Sequence, residues 1–297
     1  MHYTLCPKPY ALINLRRLLI AAAILLSLQV SAPALAQGWK EAKGEHFIVY
    51  YGQDEKFAKE VLDKAEAYYR DIASGLGYPR YSEFWLWDKR TKIYIYPDHE
   101  SFLKATGQPA WSHGMADYKK KEITSYVWSE GFIESLLPHE MAHLIFRDFV
   151  GFAGQVPLWL DEGVAQWAEA AKRDFMLGLA RDLLNNDFLM TINELMKINL
   201  KYVKEKDVLY MREIVTKSGD AGVVFLTGDK LIKAYYVEGF SLVDFLIHKY
   251  GSSRFAQFCR ELRDGKTLEE ALRASYPAHI GNLKELQSEW VSFILSS

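Results

Sequence analysis

His139-Glu140-Met141-Ala142-His143 sets two imidazoles four residues apart with a carboxylate between them. On a helix, residues four apart project from nearly the same face, so both rings can bind one Zn²⁺ while Glu140 turns toward a water at the metal. Pro138 lacks an N–H and would break a helix interior. A helix capped by Ser135 puts that proline in the first turn, where the missing donor costs little. Two imidazoles do not complete a catalytic zinc site, which takes a third protein ligand and keeps a fourth position for water.

Glu162 supplies the third ligand. Eighteen residues separate it from His143, and it stands in Pro157-Leu158-Trp159-Leu160-Asp161-Glu162-Gly163-Val164-Ala165-Gln166-Trp167, a second amphipathic helix. The H-E-x-x-H, the eighteen-residue gap and the glutamate together resemble the gluzincin metallopeptidases. Within them, Trp159-Leu160-Asp161-Glu162-Gly163 is similar to the W-L-x-E-G segment of the aminopeptidase N family and of smaller bacterial peptidase-MA-like proteins. The resemblance implies a zincin-like α+β fold and one catalytic Zn²⁺ on His139, His143 and Glu162, with Glu140 as general base.

The same resemblance assigns supporting roles. Glu169, seven residues after Glu162, matches a carboxylate at that offset in the aminopeptidase N family, which would accept the outer ring N–H of a metal-bound histidine. The other role open to it is that of a surface helix carboxylate. The thermolysin type instead carries an Asp four residues after the ligand, where this chain has Gln166. Tyr236-Val237-Glu238-Gly239 is similar to the Y-x-K-G helix whose tyrosine stabilises the oxyanion, with Glu238 in place of lysine. Adjacent Tyr235 and, by analogy with thermolysin, His113 in Trp111-Ser112-His113-Gly114 are the competing donors. The aminopeptidase G-x-M-E-N segment that holds a free amine has only the echo Gly114-Met115-Ala116-Asp117 here. Endopeptidase action is therefore expected, with an edge strand at Glu122 to Trp128 aligning an extended peptide by strand addition. The resemblance runs from about Glu122 to Ser297 and is loosest beyond Leu262, where Thr267 to Leu272 and Trp290 carry it.

These residues need elements to hold them. His46 to Tyr51 and Thr91 to Tyr96 read as strands, the second alternating at period two, and Lys56 to Ser74 repeats apolar residues at helical spacing. Lys119 to Lys121 suits a solvated turn before the strand at Glu122. From Glu130 onward helical patterns dominate, over Leu158 to Lys172, Leu231 to Tyr250, Phe255 to Leu262, Thr267 to Ala274 and Leu283 to Leu295. Gly151, Gly251 and Gly265 stand at expected helix ends. Between them, Ala170 to Lys230 reads as helical pieces at Arg173 to Leu184 and Thr191 to Lys201 followed by a polar stretch, walling the cleft. The expected fold is α+β: an amino-terminal part (37–134) with a mixed sheet, then the zinc-site helices and an all-helical carboxy-terminal part (135–297).

Residues 1–36 read as a signal peptide. Arg16 and Arg17 precede the apolar run Leu18 to Leu28, and Ala34-Leu35-Ala36 offers small residues for cleavage after Ala36. An uncleaved amino-terminal anchor is the alternative. Cleavage predicts an exported protein, periplasmic or extracellular, without stable membrane insertion. It also removes Cys6 and leaves Cys259, expected as a buried inert thiol in a helix. The 297 residues are 49% hydrophobic and 25% charged, within the globular norm. A net charge of −2 gives no footprint for nucleic acid. The expected partner is a peptide or protein substrate. Two other functions fit the pattern: a zincin-fold envelope binding or assembly protein whose metal site is not catalytic, and a zinc hydrolase of a non-peptide amide.

Overall fold

The computed structural model describes residues 38–297 apart from 79–84, 87–88, 111, 128–130, 152–155, 204–208, 216–219, 277 and 279. The leader, its cleavage site, Cys6, Trp111, Trp128 and the Ser218-Gly219 pair lie outside the described residues. Lys40–Ser297 form one compact unit. Among the described residues no helix is long and apolar enough to cross a membrane.

Thr91–Tyr96 (β3) is buried on both faces over most of its length, which suits the central strand of a sheet. It is flanked in parallel by Phe47–Tyr51 (β2), with Phe47 opposite Thr91, and by Glu122–Tyr126 (β5), with Lys92 opposite Glu122. Antiparallel strands close both sides, Lys40–Lys43 (β1) on β2 and Met115–Asp117 (β4) on β5, giving the order β1-β2-β3-β5-β4. The sheet is therefore mixed, as expected. The strand at 122–126 is internal and not the edge, because the three residues of β4 pair along its free side. The edge falls on the Met115-Ala116-Asp117 segment instead.

Glu55–Gly75 (α1), capped by Asp54, packs on β2, and His99–Thr106 (α2) is capped by Asp98. Leu137–Val150 (α3) is the helix of the H-E-x-x-H segment. Ten of its fourteen residues are buried, so it is apolar nearly all round, as a central helix must be. It touches α1, β4 and β5 on the sheet side. Two of the three lysines before β5 are solvated, while Lys121 donates to Asp148 on α3 at 2.5 Å and ties that turn to the helix.

The rest of the chain is Leu158–Ala168 (α4), Arg173–Asn185 (α5), Ile192–Lys197 (α6), strands Leu209–Val215 (β6) and Ala221–Thr227 (β7), Gly228–Tyr250 (α7), Ser252–Arg263 (α8), Leu268–Ser275 (α9) and Leu283–Ser296 (α10). Gly151, Gly251 and Gly265 follow helix ends with positive φ. The carboxy-terminal half is thus helical but not all-helical: the stretch expected as polar forms a two-stranded antiparallel hairpin, with Met211 opposite Phe225. Apolar residues occupy both faces of β6 and β7, so hydrophobicity alone shows no alternation, although burial alternates along β7. Cys259 is fully buried on α8, and burial pushes its thiol up to about 12, which keeps it protonated and inert.

Candidate metal centre

α3 does not begin on a serine cap. A π-helical turn, Phe132–Leu136, leads into it, and Leu136 at the cap position makes no side-chain hydrogen bond. Pro138 does fall in the first turn. Ser135 is used otherwise: its hydroxyl donates to Glu169, and it accepts from Lys172 Nζ at 2.6 Å. Lys172 Nζ also reaches Glu169 at 2.5 Å. The π turn thus sends Ser135 across to the end of α4 instead of back onto its own helix.

One turn apart on α3, the His139 and His143 rings lie 4.9 Å apart at 82°. α4 crosses beneath them and brings Glu162 Oε2 to 3.7 Å from His143 Nε2. Ligand atoms of His139, His143 and Glu162 all lie within 4.8 Å of one another. Each ring is fixed from behind. His139 Nδ1 donates to Glu169 Oε1 at 3.0 Å, and the Gln166 amide nitrogen lies 3.4 Å from the same ring nitrogen. His143 Nδ1 donates to Asp161 Oδ1 at 3.1 Å, and Arg147 holds the other Asp161 oxygen at 2.6 Å. With both Nδ1 atoms engaged by carboxylates, Nε2 is the atom each ring has left for a metal ion.

The electrostatics favour a cation in this place. Burial lowers His143, but Asp161, by hydrogen bond and charge, with Glu162 and Glu140 beyond it, raises it to about 9. Glu162 is pushed up by burial and by the neighbouring Asp161 and Glu140 charges, against the pull of both histidines. Burial would raise Glu169 too, yet hydrogen bonds from His139, Lys172 and Ser135 hold it below its usual value. Two imidazole nitrogens, a buried carboxylate and surplus negative charge fit a divalent metal ion.

Among the described residues, the phenols of Tyr118, Tyr235 and Tyr236 feel the charge of these carboxylates. Tyr236 is half-buried on α7, and burial with the charges of Glu162 and Glu140 pushes its hydroxyl well above the usual value, so it remains a donor. Its position depends on a glycine contact. α4 and α7 cross where a Cβ at Gly163 would overlap the Gly239 carbonyl and a Cβ at Gly239 would lie 2.9 Å from the Trp159 oxygen. The glycines of the two motifs therefore permit the approach that sets Tyr236 beside Glu162. Tyr235 is fully buried, and among the described residues its hydroxyl finds no hydrogen-bond partner. Glu238, where the similar families carry lysine, is fully buried and accepts from the Met190 N–H with both oxygens at 3.1 and 3.0 Å. Its carboxyl group thus braces the residue just before Thr191, the cap of α6.

His113 is held by Tyr126, whose hydroxyl lies 2.7 Å from its Nδ1, and it stacks on His99 at 5.3 Å. Sequence reasoning missed Tyr118 and Asp161. Tyr118 follows the edge strand, sets its ring edge-on to His143 at 6.0 Å, and is raised well above its usual value by burial and then by Asp161, Glu140 and Glu162. Asp161 occupies the variable position of W-L-x-E-G, where only its burial beside a ligand marks it.

Residues 220–296 match the Peptidase MA superfamily. The matched span carries Tyr236 and Gly239 and lies beyond the histidines and Glu162. It supports a metallopeptidase-like family and, at that level, a peptidase. No curated protein matches the chain.

Proposed function

We propose that this protein is an exported zinc-dependent metallopeptidase that hydrolyses bonds within peptide chains. The observation that carries the proposal is the convergence of His139, His143 and Glu162, each histidine oriented by its own carboxylate, with Glu140 and Tyr236 facing the same space. Two histidines and a glutamate are a known donor set for catalytic zinc, and the superfamily match to α7 and the following helices agrees with a hydrolase. When bound there, zinc supplies a Lewis acid that brings the pKa of water to about 7. Glu140 takes the proton of the attacking water and returns it to the leaving amine. The Tyr236 hydroxyl donates to the substrate carbonyl oxygen as negative charge develops on it. Glu169 and Asp161 hold both rings in the tautomer that keeps Nε2 free of a proton.

Strand β4 supports action within a chain. Among the described residues it is the outer strand of the sheet, open to an extended backbone, and its Met115-Ala116-Asp117 lacks the Met-Glu-Asn of the segment that holds a terminal amine in the aminopeptidase N family. Export rests on the charged, apolar and small-residue pattern that ends at Ala36. The test is a digest of a diverse peptide pool by the purified protein with zinc and with chelator, read by mass spectrometry. Chelator-sensitive cleavage at internal bonds is expected. Removal of single amino-terminal residues would instead mean an aminopeptidase, and no cleavage would overturn the proposal.

A further inference from the structure

A cavity of about 460 Å³ opens beside the metal centre, with Tyr236 and Gln166 in its wall. Gln166 is the residue whose amide approaches His139, so the cavity and the centre share a border. Its volume lies within the roughly 300–1,000 Å³ range of sites that enclose small ligands. The walls are mostly apolar. α5 contributes Phe175, Met176 and Leu179, and α7 contributes Ile232 and Val237. Met176 and Val237 are buried at its base, whereas Phe175 is 64% exposed at the side.

The charged groups around it are not equivalent. Lys172 is bound to Glu169 and Ser135. Asp229 is held below its usual value by the Thr227 hydroxyl at the start of α7. Lys233 is exposed and lies one turn before Tyr236 on the same face of α7, and among the described residues no ion pair engages it.

We infer that this cavity is the specificity pocket of the enzyme, taking a large apolar side chain next to the scissile bond, with Lys233 receiving a carboxylate from the adjoining substrate residue. The inference rests on the peptidase proposal. It follows from position and chemistry: a substrate carbonyl within reach of Tyr236 leaves a neighbouring side chain at the cavity mouth, and the apolar base favours a group that gives up water. The class of substrate is a peptide segment in which a bulky apolar residue adjoins an acidic one.

Binding can be measured apart from turnover with the zinc-loaded Glu140→Gln protein and calorimetry. The probes are acetylated, amidated hexapeptides carrying Phe-Glu, Ala-Glu or Phe-Lys at the centre. The Phe-Glu peptide should bind roughly tenfold or more tightly than Ala-Glu, the scale on which an apolar pocket discriminates. Leu179→Trp, introduced from one wall, should erase that difference by filling the cavity, and Ile232→Trp does the same from the other wall if the first variant fails to fold. Lys233→Glu should invert the preference between Phe-Glu and Phe-Lys. Equal or undetectable binding of Phe-Glu and Ala-Glu, or a preference that survives both tryptophans, overturns the pocket. Wild-type protein on the same peptides separates the two ideas. Selective binding without cleavage overturns the peptidase proposal and keeps the pocket, while cleavage without selectivity does the reverse.

Discussion

Tyr235 and Tyr236 are neighbours in sequence, and burial with the Glu162 charge raises both hydroxyls, but Tyr235 is fully buried whereas Tyr236 lines the cavity beside the metal centre. Tyr236→Phe should lower kcat by roughly a hundred- to a thousandfold with zinc content unchanged, the usual cost of losing one oxyanion donor. Tyr235→Phe should leave kcat unchanged and hold or raise the melting temperature, because it removes a buried hydroxyl that has no hydrogen-bond partner among the described residues. Steady-state kinetics and thermal melts on the two variants check both outcomes. Asp161→Asn tests the support behind His143. The amide keeps the shape and loses the charge, so zinc affinity should fall about 10- to 100-fold in a chelator competition, while an unchanged affinity would remove Asp161 from the site. Glu162 and Glu169 were legible because the resemblance sets Glu162 at a fixed offset from His143 and Glu169 at a fixed offset from Glu162. Tyr118 was not, since it reaches His143 from the turn after β4 and only the folded chain brings the two rings together.

The long elements were legible because each carries one strong period: β3 alternates, and α1 and α7 repeat apolar residues at helical spacing. The short ones were not. β4 has three residues and gains its place only by pairing with β5, so the edge was assigned to the longer strand beside it. The β6–β7 hairpin hid because Leu209, Met211, Val223 and Phe225 stay exposed on one face while Leu226 and Ile214 are buried on the other. Its period lies in burial and not in hydrophobicity. The crossing of α4 and α7 yields a prediction whose sign helix propensity alone gets wrong. Ala is favoured over Gly by about 1 kcal/mol inside an exposed helix. At Gly163 a methyl group would run into the Gly239 carbonyl, so Gly163→Ala should cost roughly 1–3 kcal/mol in denaturant unfolding and reduce kcat by moving Tyr236. A variant as stable as the wild type would mean that the helices have room to separate.

Across the whole molecule, the buried acid Glu238 links α7 to the segment before the hairpin. Burial pushes Glu238 up to about 8 against the pull of Arg212. An acid that holds its proton more tightly folded than unfolded contributes stability below its ordinary value of 4.5, and that contribution is lost as pH rises toward 8. The melting temperature of the wild type should therefore fall by several degrees relative to Glu238→Gln between pH 5 and pH 8, since each kcal/mol moves it about 2–4 °C in a chain of this size. Parallel pH profiles would show that Glu238 is ionised throughout. The α+β order, the H-E-x-x-H, Glu and Tyr pattern and the carboxylate behind His139 could be read along the chain, whereas the places of Asp161 and Tyr118 against His143 come from packing. Zinc content and peptide turnover of Glu140→Gln, measured on one preparation beside the wild type, decide whether three ligands hold zinc while Glu140 moves the proton. One zinc per chain in both proteins, with chelator-sensitive hydrolysis in the wild type alone, is the predicted result. Hydrolysis by Glu140→Gln at the wild-type rate, or a wild type that binds no zinc, would contradict it.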